Sequence, residues 1–311
     1  MQALQNQSSK AVTLAIKSID DVCAVVVTYN SAHCIPALAE SLAHLKNIVF
    51  VDNGSADNTL AIAKNLFPRA HNIALPANVG FGSANNVGLR YIAAHNLASF
   101  ALLINPDCSL DVANLEQLLN TANQYPEAAL VAPVLTQNGK VQHTYRMAHS
   151  ENDYKPKINQ CDGVVCVGFQ TGACWLLRIN AALAVNGFDE RIFLYYEDDD
   201  LCLRLSKAGY SLLVDPSARA EHASRGSVKM KSSFRAEYIR GYHHTRAKLY
   251  FSAKWQRKQS FFAGRWGLLL ITACLLVPAR ALTLNQRYLG RACGRLIALL
   301  HKPIKIDRNM K

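Results

Sequence analysis

At 311 residues, half of them hydrophobic and 18% charged, the chain can bury one sizeable core plus an appended segment, which excludes a disordered polymer and a conventional multi-span membrane protein. Its formal charge of +12 is unevenly placed: over residues 225–311 nineteen Lys/Arg face two acids, Glu237 and Asp307, a net +17 that leaves −5 for residues 1–224. Nine scattered cysteines, odd in number and without a C-x-x-C pair, argue against a disulfide framework or a cysteine-rich zinc site, and with no secretion signal at the N-terminus they point to a cytoplasmic protein.

Residues 1–20 read as an N-terminal extension. Val22-Cys-Ala-Val-Val-Val-Thr28 is a short, continuous, β-branched run, the pattern of a strand buried on both faces. A helix is predicted over 36–45, a second buried strand over 47–51, a turn over 52–57 and helices over 58–67 and 82–95. Phe100-Ala-Leu-Leu-Ile104 repeats the strand pattern. Alternation of this kind implies an α/β fold with a doubly wound, mostly parallel sheet, in which ligands collect at the carboxyl ends of the strands. The polar clusters Thr28-Tyr-Asn30, Asp52-Asn-Gly-Ser55 and Asn105-Pro-Asp107 fall there. After Pro126 the pattern changes, with strands predicted over 130–135 and within 164–178, a helix over 200–208 and a last short strand over 211–214. The α/β unit so delimited spans residues 21–225. Helices are predicted in the basic segment, residues 226–311, over 233–254, 261–276 and 281–301, with Pro278 dividing the last two.

That segment contains an uncharged run of fourteen residues, from Trp266 to Ala279, bounded by Arg265 and Arg280. A spanning helix needs about 20 apolar residues, so the run is too short to cross a bilayer. Apolar surface flanked by cations suits a helix in the inner, anionic leaflet. A helix packed on the α/β unit or on a second subunit, making an oligomer, accounts for the same pattern.

Several clusters carry chemistry. Asp52, directly after a strand, is placed to accept from a base or ribose donor, although Asp52-Asn-Gly-Ser-Ala-Asp57 also suits a plain turn and helix cap. The glycine- and asparagine-rich stretch from Asn78 to Gly88 opens a helix and can bring N–H groups to a phosphate, but its glycine spacing is not the dinucleotide fingerprint. A strand-terminal Asp107 is a natural Mg²⁺ or Mn²⁺ ligand, since hard cations take oxygen donors; an ordinary Pro-Asp turn is the alternative. In Tyr195-Tyr-Glu-Asp-Asp-Asp200, four consecutive acids repel one another, which raises at least one pKa and suits a general base. Asp199 and Asp200 can be helix caps; Glu197 and Asp198 are harder to explain that way. His222, a lone histidine past the last strand, is by itself weak evidence.

Taken in order, these segments resemble the family 2 glycosyltransferases of the GT-A fold, in particular rhamnosyltransferase-like members that build surface polysaccharides. The matching text is Val27-Thr-Tyr-Asn-Ser31, Val51-Asp-Asn-Gly-Ser55, Asn78-Val-Gly-Phe-Gly82 with Ala84-Asn-Asn86, Leu103-Ile-Asn-Pro-Asp107, Thr171-Gly-Ala-Cys174, Gly187-Phe-Asp-Glu190, Phe193-Leu-Tyr-Tyr-Glu-Asp198 and Asp200-Leu-Cys-Leu-Arg204. The resemblance implies a metal-dependent, inverting transfer of a sugar, rhamnose first, from a dTDP- or UDP-sugar to a glycan or lipid-linked acceptor. It implies that Thr28, Tyr29, Asn30, Asp52 and Ser55 contact the nucleoside and that Asn78, Gly80 and Asn85 line the donor pocket. Asp107 would ligate Mg²⁺ or Mn²⁺ in the place of the family's D-x-D motif, whose first Asp is here Asn105, a weaker ligand. His222 would add a metal ligand, Asp198 would be the catalytic base, and Glu197 would orient the acceptor. The protein would then work at the cytoplasmic face of the membrane.

Other classes fit less of the chain. A nucleotidyltransferase shares the α/β sheet but releases pyrophosphate. A basic nucleic-acid-binding module lacks a recognition motif, and the stretch from Trp266 to Ala279 is too apolar for it. A noncatalytic scaffold has no use for the complete acidic set at 197–200.

Overall fold

The structure, a computed structural model, describes residues 17–142, 144–147, 163–223, 233–255, 267–269, 271–282 and 285–305. Strands β1 (Val22–Thr28), β2 (Asn47–Asp52), β3 (His71–Ala74) and β4 (Phe100–Ile104) alternate with helices α1 (Ile35–Leu42), α2 (Thr59–Leu66) and α3 (Phe81–Ala94). After β4 come β5 (Cys108–Ser109), α4 (Val112–Gln124), β6 (Ala128–Gln137) and four two-residue strands, β7 (Lys140–Val141), β8 (Tyr145–Arg146), β9 (Val165–Cys166) and β10 (Phe169–Gln170). The unit closes with β11 (Cys174–Arg178), α5 (Ile179–Ala184), α6 (Glu197–Lys207) and β12 (Ser211–His222).

The main sheet runs β3-β2-β1-β4-β11-β6-β12-β5. Its first four strands pair in parallel, as predicted for β1, β2 and β4, with β3 an edge strand that the sequence reading did not include; β11 then inserts antiparallel between β4 and β6, and β12 pairs parallel to β6. The sheet is therefore mixed beyond β4. Successive side chains of a strand point to opposite faces, and β1 shows why its sequence is apolar throughout. Val22, Ala24 and Val26 join a core with α1, α2 and α4, whereas Cys23, Val25 and Val27 join a second core with α3 and α6. All seven residues of β1 are buried. Burying such side chains contributes about 1.5–3 kcal/mol each.

Three predicted boundaries are corrected. Helix α6 begins at Glu197, so all four acids lie in its first turn and not before it; the N-terminal helix dipole favours that placement. Strand β12 extends to His222, eight residues past the predicted end, because β6 and β5 supply partners for it across a bulge between Asp215 and Arg219. Pro278 does not end a helix: a π-helical turn (Thr272–Leu276) leads directly into α8 (Val277–Leu282), where proline occupies the second position and its missing N–H costs little.

Two long helices, α7 (Phe234–Trp255) and α9 (Gln286–Leu300), pack against each other, and α7 returns to the α/β unit, where Ala247 and Tyr250 cover Ile192 and Lys254 reaches Asp189 and Asp200. Their backbones approach through Gly241, Gly290 and Gly294; a Cβ on Gly294 would overlap the carbonyl of Tyr238. The predicted domain boundary near residue 225, the N-terminal extension before Lys17, and Trp266 lie outside the described residues. Among the described residues, no helix is long and apolar enough to cross a membrane.

Candidate active site

The carboxyl ends of β1 and β2 form the first part of the site. Their register places Thr28 opposite Asp52. The Asp52 carboxylate accepts from Thr28 Oγ1 (3.0 Å), Ser55 Oγ (2.5 Å) and the Ser55 N–H (3.1 Å). Asn30, at φ 51°, donates its N–H to Ser55 Oγ and accepts from the Ala56 N–H at 2.8 Å. Thr28, Asn30, Asp52 and Ser55 are thus one network, and Tyr29 beside them is 37% exposed. Asn53, which sequence reasoning did not single out, ties this network to the next loop: it donates to Asn78 Oδ1 and the Gly80 carbonyl and accepts from the Val79 N–H.

Gly80 sits at φ 95°, and a Cβ there would overlap the Phe193 carbonyl, whose oxygen accepts from the Phe81 N–H at 3.1 Å. Only glycine permits this approach. The contact joins the predicted donor loop to the segment that leads into α6. Asn85 is buried with its amide turned to the Phe81 carbonyl in its own helix, while the adjacent Asn86 grips the Phe188 backbone from both its Oδ1 (2.7 Å) and Nδ2 (2.9 Å).

At the end of β4, Asn105 makes backbone bonds only in the described contacts: its N–H donates to the Ala173 carbonyl and its carbonyl accepts from Cys108. Asp107 meets His222 because β5 and β12 pair with Cys108 opposite His222. Asp107 Oδ1 and His222 Nε2 are 3.7 Å apart, too far for a mutual hydrogen bond and close enough for two donors to one ion. Burial lowers the His222 pKa, opposed in part by the Asp107 charge, and so favours the neutral imidazole that ligates metals. No group of three or more His, Cys, Asp or Glu ligands occurs among the described residues. This donor set fits Mg²⁺ or Mn²⁺ held partly by substrate phosphates, not a closed protein cage.

The acids of α6 differ in their surroundings. Asp199 pairs with Arg146, whose guanidinium also lies 4.0 Å from the Phe169 ring centre. Asp200 accepts from Arg204 Nε (2.8 Å), Lys254 Nζ (2.7 Å) and Trp255 Nε1 (2.8 Å). Lys254 is fully buried and also reaches Asp189 Oδ2 at 2.7 Å, where the Tyr250 hydroxyl donates at 2.7 Å. Burial would raise the Asp189 pKa, but these two bonds outweigh it and hold the group below the ordinary range.

Glu197 and Asp198 have no cationic partner within ion-pair range among the described residues. Glu197 is buried, its Oε2 lacks a hydrogen bond, and burial followed by the Asp198 charge pushes its pKa well up. Asp198 accepts from the Gly172 N–H (3.3 Å) and the Asp199 N–H (3.0 Å). It lies deep yet keeps part of its surface open, and burial, then the Asp199 charge, raises its pKa to about 7. Tyr195 and Tyr196, just before it, hold φ of 70° and 66°, a strained conformation for aromatic residues that aims both rings toward α7.

The two acid-bearing parts flank one short segment: the Gly172 N–H reaches Asp198 and the Ala173 carbonyl receives the Asn105 N–H. With this geometry in place, the family profile described as glycosyl transferase family 2 matches residues 23–183. The chain belongs to that family. Over 237 residues, 64% of this chain and 74% of the relative, it is 27% identical to N-acetylglucosaminyl-diphospho-decaprenol L-rhamnosyltransferase of Mycobacterium tuberculosis. It is 28% identical over 160 residues to rhamnosyltransferase WbbL of Escherichia coli, covering 46% of this chain and 60% of that one. Among solved structures, mannosyltransferase PcManGT from Pyrobaculum calidifontis, in complex with GDP-Man and Mn²⁺, superposes with a TM-score of 0.54 at 16% identity, covering 90% of this chain and 86% of that one. GalNAc-T7 with UDP, GalNAc and Mn²⁺ gives 0.54 at 12% identity, over 75% of this chain and half of that one. These structural likenesses establish a GT-A glycosyltransferase fold.

Sequence reasoning missed Arg146, Tyr250, Lys254 and Trp255. Arg146, Lys254 and Trp255 act on acids of α6 and Tyr250 on Asp189 in the segment before it, all from far along the chain, and nothing in their local sequence distinguishes them from a surface cation or a core aromatic.

Proposed function

We propose that this family 2 glycosyltransferase moves a sugar, rhamnose first, from a pyrimidine-diphosphate donor to a hydroxyl of a lipid-linked glycan, with inversion at the anomeric carbon. The observation that carries the reading is the sorting of the four acids. Asp199 and Asp200 are neutralised by cations, and Asp198 is left half-open with a pKa near 7, one loop away from Asp107 and His222. A base poised near the working pH transfers protons most effectively.

In this mechanism Asp198 takes the proton of the acceptor hydroxyl as its oxygen bonds to the anomeric carbon. The bond from that carbon to the donor phosphate oxygen breaks, and the electron pair leaves with the nucleoside diphosphate. Glu197, its pKa pushed well up by burial, orients the acceptor or its neighbours. Asp107 and His222 would hold Mg²⁺ or Mn²⁺, which when bound supplies charge neutralisation at the departing diphosphate. Thr28, Tyr29, Asn30, Asp52 and Ser55 receive the nucleoside; Asn78, Gly80, Asn85 and Asn105 border the donor. The lipid-linked acceptor is supported by the name of the mycobacterial relative.

We further place the protein at the cytoplasmic leaflet. Leu268, Ile271, Leu275 and Leu282 are 49–85% exposed at helical spacing in a segment whose surroundings are strongly basic. Flotation with anionic vesicles at low salt is the expected result; full solubility without vesicle binding contradicts this placement.

The deciding experiment screens nucleoside-diphosphate sugars, with and without Mn²⁺ or Mg²⁺, for nucleoside-diphosphate release in the presence of a lipid-linked sugar. Metal-stimulated release from one donor is expected. Pyrophosphate release instead would make the protein a nucleotidyltransferase.

A further inference from the structure

The paired helices α7 and α9 gather cations beside the base. Tyr195 and Tyr196 each place a ring 5.5 Å from His244 of α7. The Tyr195 phenol, its pKa raised first by burial, lies within electrostatic reach of Arg240, Arg291, Glu197 and Glu237, so it connects the acidic turn with the C-terminal helices. Buried Glu237 holds Arg240 at 2.6 Å and Arg291 at 2.8 Å. Arg291 keeps 46% of its side chain exposed. Lys248, Arg291 and Arg295 all act on His244, whose outer edge is open to solvent.

The glycine contacts between α7 and α9 make this arrangement possible. Because the two backbones touch, Arg291 of α9 reaches a carboxylate of α7 and Arg295 comes near an α7 imidazole. Arg240 and Arg291 share Glu237, and Lys248 and Arg295 add two more charges around His244 with no acid in ion-pair range among the described residues. The crowding of like charges is costly unless an anion relieves it. The adjoining segment exposes Leu268, Ile271, Leu275 and Leu282 and meets α9 where Arg280 stacks 4.7 Å over Tyr288.

We propose that Arg240, Arg291, Arg295 and Lys248, bordered by Tyr195 and His244, bind the diphosphate of a lipid-linked acceptor. Its sugar extends past Tyr195 toward Asp198, and its apolar chain leaves along the exposed Leu268, Ile271, Leu275 and Leu282. Guanidinium groups suit this ligand because they bond two phosphate oxygens at once, and the surplus positive charge matches a diphosphate diester of about two negative charges. The proposal rests on the glycosyltransferase reading and adds what the C-terminal segment contributes to it: recognition of the acceptor's charged linkage.

The test uses the full chain and compares wild type with Arg295→Gln, Lys248→Gln and their combination, each checked for an unchanged melting temperature. The probes are N-acetylglucosamine linked through diphosphate to a farnesyl chain, octyl N-acetylglucosaminide, and farnesyl diphosphate alone. For the diphosphate acceptor KM should rise roughly tenfold or more in the double variant, the scale of a lost charge-assisted bond, with kcat retained. Calorimetric binding of farnesyl diphosphate should weaken in parallel, while transfer to the octyl glycoside and donor hydrolysis stay as in wild type. Equal loss on both acceptors, or no change in farnesyl diphosphate binding, overturns the proposal. So does weaker flotation on anionic vesicles with KM unchanged, because the cations then serve bulk lipid. Failure of the wider reading looks different: wild type itself would release no nucleoside diphosphate from any donor.

Discussion

Asp198 and the end of β4 that leads to Asp107 both bond to the Gly172-Ala173 dipeptide, yet Asp107 and Asp198 acquire their surroundings by different routes. Asp107 receives His222 through strand register, a consequence of β12 pairing with β5. Asp198 is one of four acids in a single helical turn, and it is set apart by what its neighbours receive: Arg146 on Asp199, and Arg204 with Lys254 on Asp200. The first environment depends on one local pairing. The second is assembled from β8, α6 and α7, so damage there should spread into the C-terminal helices, whereas damage at Asp107 should stay local.

The largest test of this contrast is Asp198→Asn, which should cut kcat by about 10²–10⁴, the span of a lost general base, while leaving donor affinity intact. Near-normal turnover would refute the assignment. Asp107→Ala should abolish stimulation by Mn²⁺ or Mg²⁺ and lower kcat/KM on the order of a hundredfold, with thermal stability retained; an unchanged metal titration removes Asp107 from the site.

Lys254→Met probes the other side of the comparison. It leaves Asp189 and Asp200 buried without their shared cation, and breaking a buried pair in this way costs about 3–5 kcal/mol, readable in denaturant unfolding. A loss below about 0.5 kcal/mol would mean that α7 is held by apolar packing alone.

The pH dependence sharpens the same point. Below about 7 Asp198 is protonated and cannot accept a proton, so kcat should fall toward acid with a midpoint near that value, and this limb should vanish in the residual activity of Asp198→Asn. Stability runs the opposite way for this group. Its folded pKa lies above the unfolded 3.8, the folded state binds more protons between the two values, and its contribution declines as pH rises from about 4 to 7. Asp189 has the reverse sign, since its lowered pKa makes its stabilisation fade only as pH falls below the ordinary carboxylate range. The smallest effect belongs to the exposed Arg90–Glu190 pair, where Arg90→Ala should change stability by about 0–1 kcal/mol.

Much of the fold was legible because its signals are local. The unbroken apolar run at β1 can only be a strand covered on both faces, and Phe100–Ile104 was predicted to the residue. The clusters at Thr28, Asp52, Asn78 and Asp107 were placed at strand ends or in their loops, and the structure joins Thr28 with Asp52 and Asn53 with Asn78. Less legible were the antiparallel β11, the extension of β12 to His222 and the passage through Pro278. Each depends on a neighbour that compensates for a weak or contrary local preference.

The sequence by itself determined that four acids follow one another and that their mutual repulsion must raise at least one pKa. Only the tertiary structure decided which of them is released from cations, because Arg146 and Lys254 lie 53 and 54 residues away from their acid partners in opposite directions along the chain. Coulombic interaction falls with distance in space and is blind to distance in sequence, so that choice is made when the chain packs.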